Sequence, residues 1–258
     1  MTSIITELKN QVYYIWLNRP EVYNGFNMEM SKEVQKALDF CATSEEVRAI
    51  VISAKGKAFS SGQDLKEATA ENAPSMETIL TEQYNPILLK IKNCPKPVIA
   101  AVQGVAAGAG ANIALACDIV LASKSACFIQ AFSKIGLVPD SGGTYYLPRL
   151  VGLQNAMALM MTGDKINAED ALRMGMIYKM YDDESFDAEV EKFSTFISQM
   201  PTKALAYTKK LLYLSLETNL EKQLLNELEY QKLAGDTHDF KEGVNSFIEK
   251  RKPVFNGK

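Results

Sequence analysis

The chain reads as an α/β protein, and three observations predict it. Short apolar runs of strand length recur between residues 11 and 129. Stretches with helical period separate several of them, and Gly/Ala-rich turns sit where an apolar strand gives way to a helix. Strands that alternate with helices indicate interleaved layers rather than segregated ones.

Taken in order, residues 11–18 form a strand that Arg19-Pro20 closes. Residues 27–42 carry Met30, Val34, Ala37, Leu38 and Cys41 on one helical face. Residues 49–53 are a short apolar strand with a Lys55-Gly56-Lys57 turn, and Ala58-Phe59-Ser60 is a second strand running into Gly62-Gln63-Asp64. Pro95 and Pro97 reset the chain before a strand at 98–102. The turn Gly104 to Asn112 comes next, then an apolar helical run at 113–117 and strands at 119–122 and 126–129. A second Gly-rich turn spans Val138 to Thr144. Residues 186–250 are helical in pattern, with Pro201 opening one helix and Gly235 closing another. The expected division is a core over residues 1–195 and a C-terminal helical region over 196–258, with no low-complexity linker and no repeat of detectable sequence period.

Composition narrows the function. The chain has 258 residues, 47% hydrophobic and 23% charged, which is the balance of a globular protein with a full core. A net charge of −3 argues against nucleic acid as a partner. The longest uncharged stretch, residues 97–117, approaches the roughly 20 residues of a membrane span. It contains Gln103, Asn112 and three glycines, so a buried strand-turn-helix explains it better and no membrane partner is expected. With no leader pattern at the start and no peroxisomal address at the end, the expected location is the cytosol. Cys41, Cys94, Cys117 and Cys127 lack metal or redox spacing, and His238 is the single histidine. A metal site and a Ser-His-Asp triad are therefore not expected. Acid–base chemistry falls to carboxylates, Tyr, Lys or backbone groups.

Two turns could aim backbone N–H groups at one point: Phe59 to Leu65, and Gly108-Ala109-Gly110. Donors from separate turns converging on one oxygen make an oxyanion hole, and the plainer reading is two tight turns. The glycine spacing fits neither a dinucleotide fingerprint nor a phosphate loop. Asp140 admits two readings, as a helix N-cap ahead of an apolar helix or as a proton-transferring carboxylate in an apolar cleft.

Several motifs carry a resemblance. Leu17-Asn-Arg-Pro-Glu21, Phe59-Ser-Ser-Gly-Gln-Asp-Leu65, Lys96-Pro-Val-Ile-Ala-Ala-Val-Gln-Gly104, Ala116-Cys-Asp-Ile119, Leu147-Pro-Arg149 and Leu159 to Ala168 resemble the crotonase (enoyl-CoA hydratase/isomerase) superfamily, in register over nearly the whole chain. The resemblance implies a spiral of ββα units with a C-terminal helical trimerisation region, and a homotrimer or a dimer of trimers. It implies an acyl-CoA thioester as substrate, with coenzyme A entering as part of that substrate rather than as a cofactor. The thioester oxygen would meet the N–H groups of Gln63 and Ala109. Gly62, Asp64, Leu65, Gly108 and Gly110 would lie around the substrate, and segments 22–26 and 64–68 near its pantetheine and adenine. Lys252 would face the CoA phosphates of a neighbouring subunit.

Hydratases of the superfamily use two glutamates, and here those positions hold Asn112 and Phe132. An amide does not titrate and a phenyl ring has no proton to give, so ordinary hydration is not expected. What remains is Asp140 in Gly136-Leu-Val-Pro-Asp-Ser-Gly-Gly143, which looks closest to the 1,2-epoxyphenylacetyl-CoA isomerase and 3,2-enoyl-CoA isomerase branch. The expected activity is isomerisation, moving a double bond or opening an epoxide, with Asp140 shuttling one proton. The rivals are a hydratase or another crotonase reaction, and a non-catalytic acyl-CoA-binding subunit. Asn112 is expected to bond locally at a helix start, with a substrate-orienting bond as the other option. Phe132 and Ile129 would make the acyl pocket apolar. Asp118 is expected to pair with a backbone group or a basic partner and Arg149 to make a structural ion pair; Tyr145 and Tyr146 are expected in the core or the acyl pocket, and Met157, Met160 and Met161 in packing.

Overall fold

The computed structural model describes residues 2–258, and its strands form two sheets. The strands are β1 (Ile4–Lys9), β2 (Val12–Leu17), β3 (Ala49–Ala54), β4 (Ala58–Ser60), β5 (Val98–Val102), β6 (Val105–Ala107), β7 (Ile119–Ser123), β8 (Cys127–Ile129), β9 (Lys165–Asn167) and β10 (Lys179–Tyr181). A six-stranded sheet runs β1-β2-β3-β5-β7-β10 and a four-stranded sheet β4-β6-β8-β9. Neighbours are parallel except at β1–β2 and β8–β9. Each of β3–β4, β5–β6 and β7–β8 places one strand in each sheet before the chain turns into a helix, so the ββα unit recurs around a spiral. The repeat is structural and leaves no period in the sequence, because the helices between the units differ in length and composition.

The large sheet is covered on both faces, which is why β3, β5 and β7 read as continuous apolar runs. Ile50, Ile52, Val98 and Ala100 point into the main core with Met30, Val34, Ile87 and Ile91 of the Met28–Thr43 and Asn85–Asn93 helices. Alternate residues Val51, Ile99, Ala101 and Leu121 face a second core closed by Phe186 and Val190 of the Phe186–Ser198 helix. That helix runs continuously across residue 195, where the sequence suggests a division. Three further helices complete the chain, Thr202–Ser215, Leu220–Gly235 and His238–Ile248.

Arg48 ties the C-terminal residues to the spiral. Its buried guanidinium donates to Thr202 Oγ1 (2.9 Å) and to the carbonyls of Met200 (2.7 Å) and Phe255 (2.8 Å). Asp239 accepts the N–H groups of Asn256 and Gly257 at 2.8 Å each. Arg149 departs from expectation. It stacks its guanidinium 3.8 Å from the Tyr145 ring centre and donates to the Tyr145 carbonyl, with no carboxylate partner among the described residues. Met157 and Met161 are exposed, so only Met160 of the three packs on the core.

Candidate active site

The two glycine-bearing turns press against each other. Gly62 has φ +93°, and a Cβ there would lie 2.9 Å from the Ala107 carbonyl oxygen and 3.4 Å from the Ala109 nitrogen. Only glycine lets this turn approach the start of the Ala109–Ala116 helix so closely. Gly110 backs onto Ser60, where a Cβ would come 2.5 Å from the serine Cβ, so Gly110 is packing rather than ligand surface.

The far side of the first turn is held by Phe26. Its N–H donates to the Gly62 carbonyl (2.7 Å) and its carbonyl accepts the Asp64 N–H (2.8 Å). In such a parallel bridge the residue between the two bonded ones turns its own N–H the other way. The Gln63 N–H therefore points away from Phe26 and meets no acceptor among the described residues. Ala109 is the first residue of its helix, so its N–H has no carbonyl one turn earlier to bond. Helix starts with free N–H groups favour negative charge.

Asp140 is brought to this helix by Asn112. The buried Asn112 amide donates to the Asp140 carbonyl and accepts from Gln130 Nε2, both at 2.8 Å. Both bonds are long-range, so Asn112 neither bonds locally nor offers its side chain to a substrate; it anchors the Asp140 loop. The capping reading of Asp140 is overturned as well. The Gly143–Val151 helix is capped at Gly142 without any side-chain bond, and Asp140 contributes only its carbonyl, to the Gly143 N–H (2.8 Å). Its carboxylate accepts a single side-chain hydrogen bond, from Ser141 Oγ at 2.9 Å. Burial pushes the half-buried Asp140 carboxyl above the usual range, and the Ser141 hydroxyl pulls it back only in part. Ser141 itself sits at φ +48°, a left-handed conformation uncommon for a non-glycine residue.

The other expected residues divide. Leu65 is 66% exposed beside the first turn, and Leu137 and Val138 are exposed just before Asp140, which leaves apolar surface next to both turns. Phe132 is buried over Gly108 and provides an apolar wall. Asp64 is not free to meet a ligand: it caps the Leu65–Ala68 helix through the Lys66 N–H and pairs with Arg19 Nη2 at 2.7 Å. Burial pushes its carboxyl up, but Arg19 and the Lys66 and Glu67 N–H groups outweigh that and hold it below the usual range.

Sequence reading missed a polar cluster behind Gln63. The Gln63 side chain accepts from Tyr84 Oη (2.7 Å) and donates to Glu67 (3.2 Å), which also accepts from Gln83 Nε2 (3.2 Å) and the Met28 N–H (3.0 Å). The partners lie 4 to 39 residues apart in the chain, and only the fold assembles them. Tyr84 is held well above the usual tyrosine range by its burial first, then by the charges of Asp140, Glu67 and Asp64.

Elsewhere, Asp118 pairs with Lys209 Nζ (2.8 Å) and accepts the Val98 N–H (2.8 Å). It lies beside an apolar cavity of about 470 Å³ lined by Leu115, Tyr145, Tyr146, Leu212 and Tyr213, apart from both turns. Among the described residues no three His, Cys, Asp or Glu side chains cluster as a metal site would require. Among the described residues no helix is long and apolar enough to cross a membrane.

Spiralling ββα units around two opposed turns are the architecture of the crotonase fold. Residues 7–258 match the enoyl-CoA hydratase/isomerase family model, and the chain belongs to that family. It is 45% identical over 99% of its length, and 98% of the relative's, to a Rhodobacter capsulatus protein named "Probable enoyl-CoA hydratase". It is 40% identical, over the full length of both chains, to the 1,2-epoxyphenylacetyl-CoA isomerase of Escherichia coli. The solved enoyl-CoA hydratase of Mycobacterium smegmatis superposes with a TM-score of 0.92 at 31% identity, covering 99% of each chain. The chain is thus an acyl-CoA enzyme of the hydratase/isomerase type.

Proposed function

We propose that, within this family, the protein is an acyl-CoA isomerase working with one carboxylate. The observation that carries the reading is the contrast around the Ala109–Ala116 helix: Asn112 and Phe132 supply no titratable group, whereas Asp140 holds a half-buried carboxylate with one hydroxyl partner. With a 3-enoyl thioester, Asp140 takes the C2 proton and the C2–H electron pair delocalises into a dienolate. The N–H groups of Gln63 and Ala109 hold the thioester oxygen as it gains charge, a contribution of several kcal/mol in comparable sites. The protonated Asp140 returns the proton to C4, leaving a C2=C3 double bond. Burial suits both steps, since a raised pKa makes the carboxylate a better base and lets it hold the proton between steps.

The E. coli relative's name supports an epoxide of phenylacetyl-CoA as a second substrate class. The R. capsulatus relative's name supports hydration instead, which would need Asp140 alone to order and activate water. The exposed leucines 212, 216, 220, 224, 225 and 228 on the C-terminal helices support assembly into a homotrimer or a dimer of trimers. In that assembly the 196–258 region would act as the oligomerisation unit, and the exposed Lys252 is proposed to meet CoA phosphates across the interface.

The test is NMR of 3-hexenoyl-CoA in deuterated water with the wild type and Asp140→Asn. Double-bond migration lowered about 100- to 10,000-fold in the variant supports the reading. Migration that survives the substitution overturns it, and conversion of separately supplied 2-hexenoyl-CoA to a 3-hydroxyacyl product at comparable rate, without migration of 3-hexenoyl-CoA, assigns the protein to the hydratases.

A further inference from the structure

The Tyr84 hydroxyl ends a local irregularity whose cause is visible in the sequence. Residues Ile79–Tyr84 form a π-helical turn, and the Asn85 N–H reaches back five residues to the Leu80 carbonyl. The next residue is Pro86, which has no N–H to give to the Glu82 carbonyl. That carbonyl is taken instead by the Gln35 amide from the Met28–Thr43 helix at 2.7 Å, with the Gln83 carbonyl at 3.2 Å from the same nitrogen. The widened turn is thus fixed from outside. One extra residue per turn rotates the succeeding side chains around the helix, and wide turns of this kind collect at functional sites.

What the turn delivers is Tyr84, 1% exposed, with its hydroxyl 2.7 Å from Gln63 Oε1. The ring packs 6.0 Å, centre to centre, from Phe26, the residue whose backbone grips the Gln63 turn from the other side. Gln63 is therefore clamped twice, through its neighbours' peptide groups by Phe26 and through its side chain by Tyr84 and Glu67. A phenylalanine would fill the same space, so the hydroxyl is not needed for packing alone. The bond reaches a residue whose own N–H is the free one in the turn.

The geometry points to Tyr84 as a positioning residue of the thioester site: its hydroxyl, presented by the π-helical turn, fixes the Gln63 side chain and with it the direction of the Gln63 N–H. This deepens the proposed function and rests on its assignment of Gln63 as an oxyanion donor. Tyr84 touches no reacting atom. Its effect is on how well a charged thioester oxygen is held, not on whether a neutral thioester binds.

Acetoacetyl-CoA separates the two, because its enolate has its own ultraviolet band and no turnover is required to see it. The wild type is expected to raise the bound enolate fraction above that in buffer at the same pH. Tyr84→Phe should lower that enrichment about tenfold while the dissociation constant of a saturated thioester, butyryl-CoA, stays within about twofold. Adding Tyr84→Phe to Gln63→Met should then change little further, since both remove the same bond. An enrichment within twofold of wild type in Tyr84→Phe overturns the proposal, as does equal weakening of butyryl-CoA and enolate. So does a wild type that leaves the enolate fraction unchanged. Should Tyr84→Phe fail to fold, Gln63→Met alone carries the test, and undiminished enrichment in it overturns the proposal. A wild type that enriches the enolate yet moves no double bond sinks the isomerase reading while the role of Tyr84 is still measured.

Discussion

Asp118 and Asp140 are both carboxylates that burial lifts above the usual range, and their surroundings differ in what answers the charge. Asp118 faces the Lys209 ammonium at 2.8 Å and the Val98 N–H at 2.8 Å, and Lys209 is further bonded to the Ile91 carbonyl at 2.7 Å. Asp140 has the Ser141 hydroxyl and no cation within salt-bridge distance among the described residues. A part-buried charge paired with an ammonium and a backbone N–H joins helix to sheet and is costly to disturb. A half-buried charge whose only side-chain partner is a neutral hydroxyl is poised to change protonation state. The contrast teaches that burial alone does not mark a functional carboxylate; the lack of a counter-ion does.

Breaking this contrast gives effects of graded size. The largest is kinetic, the loss of proton transfer in Asp140→Asn, and it should come without loss of stability. The folded pKa of Asp140 is raised, so the unfolded chain binds fewer protons between the unfolded and folded values, and wild-type stability falls as pH rises through that window. Asp140→Asn is therefore expected to melt at or above the wild-type temperature at pH 7, with the gain shrinking toward pH 4. A clear drop in melting temperature at pH 7 would show that Asp140 is held for structure. Asp118→Asn should behave oppositely. Leaving the part-buried Lys209 ammonium beside a neutral partner is expected to cost about 2 kcal/mol in urea unfolding, with per-site activity of the folded protein unchanged. The smallest effect sharpens the comparison rather than breaking it. Ser141→Ala removes the one side-chain hydrogen bond that lowers the Asp140 pKa, leaving only the residue's own backbone N–H to do so, and the acid limb of the kcat/KM profile should move to higher pH. An unmoved acid limb would assign that limb to another group.

Much of the fold is legible in the sequence because the buried strands carry strong signals. β3, β5, β7 and β8 are apolar runs between turn residues, and sequence reading places them within a residue or two. β1 escapes because it is an edge strand exposed along most of its length, so its apolar residues, Ile4, Ile5 and Leu8, do not alternate with the polar ones as a buried face would require. β6 hides within the Gly/Ala-rich turn, and β9 and β10 are three-residue strands with little apolar character. Around the site, Gln63, Ala109 and Asp140 stand out through local motifs. Asn112 is visible as a residue, but its bonds to Gln130 and Asp140 span 18 and 28 positions and no local pattern encodes them. Tyr84 is further out of reach. Its contact depends on a turn widened by the missing N–H of Pro86 and stabilised by Gln35, a combination that neither helical period nor propensity expresses.

The Arg48 clasp bears on how the chain is made. Domains begin to fold during synthesis, the N-terminal parts first, at about 5–20 residues per second. When β3 emerges, Arg48 at its edge has none of the partners it will hold in the C-terminal region, since Met200, Thr202 and Phe255 lie 152, 154 and 207 positions further on. Until those residues are made its guanidinium must stay hydrated. The Arg48 latch thus stays open until residues 200–255 have left the ribosome.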